Sequence, residues 1–255
     1  MNAHSPSAPQ LPLSTNDPVA ICHRLAGYDF PWELNRSFEV AVLRTFCVPR
    51  IAHLLHRTGK FERAPQQRYD DTGLILGNIL KWGYDSPQGQ AAIRQMNIIH
   101  SRYPICNEDF LYVLSTLIYE PVRWNRLFGW RPFSSVEKEA MFQFWRVVGQ
   151  RMGLTNIPET YAAFQAFSQD YEKLHFRYHR DNAVIGNAVL GLMQSWYPAI
   201  ATPVITLAVK TVADDAMRTA LGWSQPHPRL SQLVLLGLQA RQQIAARLPR
   251  RRQPH

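Results

Sequence analysis

The chain has 255 residues, 46% of them hydrophobic and 11% aromatic, which suffices for one large or two small folded domains and excludes a disordered or fibrous protein. The net charge is +9, but Arg241, Arg247, Arg250, Arg251 and Arg252 gather part of that excess at the C-terminus with no aromatic residue among them, which argues against a nucleic-acid groove. Three cysteines, Cys22, Cys47 and Cys106, lie far apart with no C-x-x-C pair, so no disulfide framework or cysteine zinc site is expected, and a reducing, cytoplasmic setting fits.

Residues 1–18 are rich in Pro, Ser, Asn and Ala and lack the apolar core of a signal peptide, so they read as a mobile leader. Trp32 to His56 carries Phe38, Ala41, Val42, Thr45 and Phe46 at helical spacing, and Pro49 kinks or breaks that helix. Arg68 to Gly83 is a second helix whose inner stripe runs through Tyr69, Thr72, Leu76, Ile79, Leu80 and Gly83, with Arg68 at its edge. Pro87 opens the next helix and Pro104 closes it. Asn107 reads as the N-cap of a helix over Glu108 to Tyr119, and Ser134 with Glu137 as a capping box for one that stops at Gly153. Pro158 then begins another. Nothing alternates long enough to nominate a strand. The expected fold is therefore all-α, one compact domain over residues 19–247 with nine or ten helices and a basic tail at 248–255. That tail is either simply solvated or drawn to an anionic membrane surface.

Between Asp181 and Lys210 no residue is charged, a length that could span a bilayer. Asn187, Gln194, Pro198 and Pro203 interrupt it, which favours two buried helices joined near Tyr197-Pro198. Glu172-Lys-Leu-His175 has the spacing of a di-iron ligand pair but occurs once, whereas such sites need it twice. His175 and His179 stand four apart without the intervening Glu of a zinc protease helix, and His53 and His56 read as surface or helix-end residues. No phosphate loop, nucleophile elbow or catalytic triad pattern is present.

The segment that stands out is Gln90 to Tyr103. Ile93, Met96, His100 and Tyr103 share one helical face, so an imidazole is turned inward within an apolar stripe. Such a histidine serves equally as an iron ligand or as an ordinary core residue. The blocks around it are Arg68-Tyr-Asp-Asp-Thr72, Met96-Asn-Ile-Ile-His100-Ser-Arg-Tyr103, Asn107-Glu-Asp-Phe-Leu-Tyr112, Glu120-Pro-Val-Arg-Trp124 and Gly149-Gln-Arg-Met-Gly153. In that order, over about Leu34 to Pro158, the chain resembles the MpaB and latex-clearing-protein oxygenases, all-helical heme b proteins.

The resemblance implies a globin-like helical core around heme b, with His100 as the iron ligand and Arg68 and Thr72 as the catalytic pair on the distal side. It also implies that Arg102, Arg123 and Arg131 are candidates to meet the heme propionates and that Tyr103 either lines the heme or packs in the core. In latex-clearing proteins a lysine precedes the distal threonine; Asp71 stands there in this chain, so an open or water-bound distal site is expected. The implied activity is oxidative cleavage of a C=C bond in a prenyl-type or other hydrophobic substrate by O2, with peripheral membrane contact as a further expectation. Rival readings are a heme-binding sensor or carrier without turnover and a structural helical domain.

Overall fold

The computed structural model describes residues 17–249 and Gln253, so most of the leader and the basic tail lie outside the described residues. Thirteen α-helices occur among the described residues, more than the nine or ten expected, and no strand. They are α1 (Pro18–Arg24), α2 (Pro31–Thr45), α3 (Pro49–Thr58), α4 (Lys60–Arg63), α5 (Pro65–Trp82), α6 (Pro87–His100) and α7 (Asn107–Phe128). There follow α8 (Ser135–Arg151), α9 (Tyr161–His175), α10 (Arg180–Ser195), α11 (Thr202–Val212), α12 (Asp215–Leu221) and α13 (Pro228–Arg247). Proline explains the fragmentation. Seven of these helices carry one in their first turn, where its fixed φ and missing N–H do no harm.

The expected break at Pro49 and the capping box of Ser134 and Glu137 are both present. Four local expectations are corrected. Cys106, not Asn107, caps α7, because the Asn107 side chain is clamped to Thr155 by two hydrogen bonds of 3.0 Å. That helix also runs nine residues past Tyr119, through Pro121, because Trp124, Asn125 and Phe128 are buried and reward its continuation. Helix α9 begins at Tyr161, capped by Thr160, not at Pro158. His175 ends α9 while His179 caps α10, so the two never share a helix face.

Helices α2 and α7 pack along each other and divide the interior. On one side Leu34, Leu111, Leu114 and Ile118 meet Trp145, Phe142 and Phe164 of α8 and α9. On the other, Val40, Leu43, Trp124 and Phe128 meet Ile185, Met217 and Leu221 of α10 and α12. A buried ionic knot ties these layers together. Arg44 of α2 reaches Glu120 of α7 at 2.9 Å and Glu172 of α9 at 2.9 Å, and also pairs with Asp214 at the start of α12. Tyr112 donates to Glu172 at 3.1 Å and Arg123 to Glu120 at 2.7 Å. Burial pulls the Arg44 guanidinium toward its neutral form, but the three carboxylates outweigh burial and hold it charged.

The uncharged stretch is indeed two helices, α10 and α11, broken near Pro198. Of the two only α10 is buried: α11 has no buried residue, and neither does α13, which packs beside it. Among the described residues no helix is long and apolar enough to cross a membrane.

Candidate functional site

Helix α5 buries only Ile79 and Leu80 of its eighteen residues. The rest of its inner face opens onto a cavity of about 430 Å³, walled also by α2, α10 and the turn after α1. Phe38, Val42, Leu76, Leu80, Val189 and Leu192 make the cavity largely apolar. Gly73 and Gly77 line it as well, and a Cβ at either would meet nothing within 4 Å. These glycines widen the space beside the helix at a propensity cost of about 1 kcal/mol each.

Arg68 and Thr72 face this cavity one turn apart. Arg68 Nη1 donates to Thr72 Oγ1 at 2.7 Å, and Thr72 Oγ1 donates to the Arg68 carbonyl at 2.9 Å. The pair of bonds ties the guanidinium to the threonine and keeps one acceptor lone pair of the hydroxyl open. Arg68 also lies 5.5 Å from the Phe61 ring centroid, and among the described residues Thr72 is the guanidinium's only hydrogen-bond partner. Burial lowers the pKa of this arginine, while Asp71 and Tyr103 partly restore it. A half-buried cation without a carboxylate partner is costly unless something anionic or strongly polar meets it. Asp71 is exposed.

His100 is the last residue of α6, not a mid-helix position, so Tyr103 of the expected stripe sits in the following turn and donates its N–H to the His100 carbonyl at 3.0 Å. The imidazole packs against Phe110 at 5.1 Å between ring centroids. It does not line the cavity just described. Its Nδ1 is buried and has no hydrogen-bond partner. Burial, and after it the charge of Arg68, together push its pKa down to about 4, so the ring is neutral at physiological pH.

That shift carries a stability consequence. An unfolded histidine takes a proton near pH 6.5, whereas this one resists protonation until about 4, so the stability is intact above 6.5 and is lost as pH falls through that window. The loss is expected to be on the order of 2–3 kcal/mol. Urea unfolding of the protein across this window is expected to show a falling midpoint, and His100→Phe to flatten that fall; parallel curves would refute it.

The other sequence-derived residues fall as follows. Arg102 is exposed two residues beyond His100. Arg131 is held by Glu137 through two hydrogen bonds of 2.6 Å and stacks on Phe30 and Trp130, well paired already. Arg123 belongs to the Arg44 knot. Glu172 is spent in that knot too, and His175 packs on Tyr171, so the Glu-x-x-His pair chelates nothing. His53 pairs with Asp181 and His56 with Glu62 near the surface. Among the described residues no group of three or more His, Cys, Asp and Glu could hold a metal ion.

One residue was missed. Glu39 of α2 is buried against the same cavity, accepts from Tyr69 at 2.9 Å and pairs with Arg36 at 2.6 Å. Burial raises its pKa against the opposing pull of Arg36 and Tyr69. A lone acid within the apolar stripe of α2 was the available signal.

The chain thus carries a half-buried guanidinium on an apolar chamber, and a neutral imidazole at the end of the neighbouring helix that is not part of that chamber's wall. The chain belongs to the family described as "ER-bound oxygenase mpaB/B'/Rubber oxygenase, catalytic domain", whose model matches residues 37–242. It is 26% identical over 234 residues to the ER-bound oxygenase mpaB' of Penicillium brevicompactum, covering 85% of this chain and 55% of that protein. It is also 26% identical over 227 residues to the ER-bound oxygenase mpaB of Penicillium roqueforti, covering 82% and 76%. With mpaB of Penicillium brevicompactum it shares 28% over 178 residues, 63% of this chain and 45% of the other. The chain thus spans about half the length of two of these relatives.

Proposed function

We propose that this protein is a heme b-dependent oxygenase that cleaves a C=C bond in a prenyl-type or other hydrophobic chain, taking up one O2 per bond and leaving two carbonyl fragments. The observation that carries the reading is His100: a half-buried ring at the end of α6, packed on Phe110 and kept neutral by burial, so that it retains the lone pair that an iron ligand needs. Heme b held by His100 supplies the redox-active iron. The chain's own residues supply the rest. Arg68, aimed by Thr72, donates hydrogen bonds to oxygen that acquires negative charge. The aliphatic and aromatic walls exclude water and accept an apolar chain. Tyr103 fixes the turn behind His100, and the exposed Arg102 is the freer cation for a propionate, since Arg131 would first have to release Glu137.

Peripheral contact with a membrane belongs to the same reading, made by the exposed Ile200, Val204, Leu233 and Leu236 near α11 and α13. A cytoplasmic, membrane-associated location follows from it.

The experiment is a visible spectrum with pyridine hemochrome analysis of the purified protein, followed by oxygen uptake with farnesyl- and geranylgeranyl-type chains. A Soret band together with uptake and carbonyl products is the expected result. A band with no uptake on any isoprenoid would make the protein a sensor or carrier. A colourless protein that stays so after adding hemin would reduce His100 to a core residue.

A further inference from the structure

Helix α13 is held to the body along one side only. Val234 and Leu238 line an internal cavity, and Arg241 reaches the buried Glu33 at 2.8 Å while its guanidinium lies on the Trp32 ring. A second row, Leu230, Leu233, Gly237, Ala240 and Ile244, repeats at alternating steps of three and four residues and so forms one stripe along the helix. Every member of that stripe is exposed, Leu233 at 63% and Ile244 at 59%, and a Cβ on Gly237 would meet nothing within 4 Å. The exposed Leu236 and Leu248 widen it, and the exposed Gln232, Gln239 and Gln243 make up the polar side of the helix. An apolar stripe that runs the length of a helix in water marks an interaction surface.

Charge selects the occupant. From 216 to 255 the chain carries seven arginines and no acidic residue. Arg218 and Arg241 are spent on Asp215 and Glu33. Arg229 and Arg247 stand exposed at the two ends of the stripe, about five full turns apart and hence on one line beside it, and among the described residues neither forms an ion pair. A second copy of the chain would set arginine against arginine. A nucleic acid would answer the arginines and leave the leucines in water. An anionic bilayer meets both, phosphates and carboxylates for the guanidinium groups and acyl chains for the leucines.

We propose that α13 lies in the plane of an anionic lipid surface, with Leu230, Leu233, Leu236 and Ile244 sunk below the headgroups and Arg229 and Arg247 on the phosphates. This rests on the peripheral membrane contact proposed above and deepens it, naming the charge of the lipid and the helix that reads it.

The test is co-sedimentation of the purified protein with vesicles of phosphatidylcholine alone or with one third phosphatidylserine. Binding to the mixed vesicles is expected to exceed binding to phosphatidylcholine at least tenfold and to weaken with salt. Leu233→Gln with Ile244→Gln keeps every arginine and is expected to weaken binding to the mixed vesicles by about a hundredfold or more. Arg229→Gln with Arg247→Gln is expected to weaken it roughly 25-fold, about fivefold for each arginine. Equal binding to both vesicles, or full binding by the folded Leu233 and Ile244 variant, would overturn the proposal. So would tighter binding to a duplex oligonucleotide that this variant retains, or a solution dimer that it dissolves. Should that variant fail to fold, the arginine variant and the lipid comparison decide. No binding to any vesicle would remove the membrane contact altogether, whereas binding lost only in Ile200→Gln would keep the contact and move it from α13 to the start of α11. Neither readout depends on turnover, so the oxygenase reading fails or stands separately.

Discussion

His100→Ala is expected to abolish the Soret band of the purified protein while the fold survives. On the proposed reading the neutral imidazole would hold the iron, so its removal would take away a direct bond to the metal, and heme affinity should fall by more than the 10–100-fold typical of losing an outer partner. The fold should tolerate the change because His100 ends its helix and its side chain makes no hydrogen bond. Free imidazole added to the variant should restore the band by refilling the space. Arg68→Met is the companion measurement. It should keep the band, since the guanidinium does not ligate, and lower oxygen uptake by about 10²–10³, the usual cost of one donor to developing negative charge. A variant His100→Ala that binds heme with an unchanged spectrum would remove His100 from the site.

The largest effect on stability is expected from Arg44→Met. The guanidinium is 5% exposed and answers Glu120, Glu172 and Asp214 at once. Deleting it leaves three carboxylates facing one another, with Arg123 the remaining cation, and breaking a buried pair in this way costs about 3–5 kcal/mol. For a chain of this size that is a fall in Tm of roughly 10 °C. Glu172 already has a raised pKa, first from burial, so the variant should regain part of its stability on mild acidification as this carboxyl takes a proton. The double variant Arg44→Met, Glu172→Gln should be more stable than the single one. Urea midpoints measure both, and a single variant within 1 kcal/mol of wild type would show the knot to be dispensable.

The elements that could be read from the sequence are those marked by local chemistry. Pro49, Pro87 and the Ser134 capping box act within one turn of themselves, and the structure keeps each. Arg68 and Thr72 also belong to this group, because a spacing of four fixes their common face whatever packs against it. What escaped depends on distance along the chain. The Arg44 knot joins α2, α7, α9 and α12, and nothing near Arg44 announces partners up to 170 residues away. The extension of α7 through Pro121 is another tertiary override, driven by the burial of Trp124 and Phe128. The place of His100 at the end of α6 was hidden for a subtler reason: the turn through Ser101 to Tyr103 preserves the apolar spacing, so periodicity alone could not tell helix from turn.

Helix α5 has only two buried residues and one flank open to a cavity, so its N-terminal half is tied to its surroundings by a few side-chain contacts, Tyr69 with Glu39 and Trp196 and Gln66 with Trp196, more than by packing. Such a segment is expected to open more readily than the packed helices, and hydrogen exchange of its amides would measure that. To the extent that it opens, whatever fills the chamber orders this half-helix as it binds, at a cost in affinity. Cofactor and substrate that both lean on α5 would then favour each other's binding without any movement of the surrounding helices, the first to arrive leaving less disorder for the second to remove.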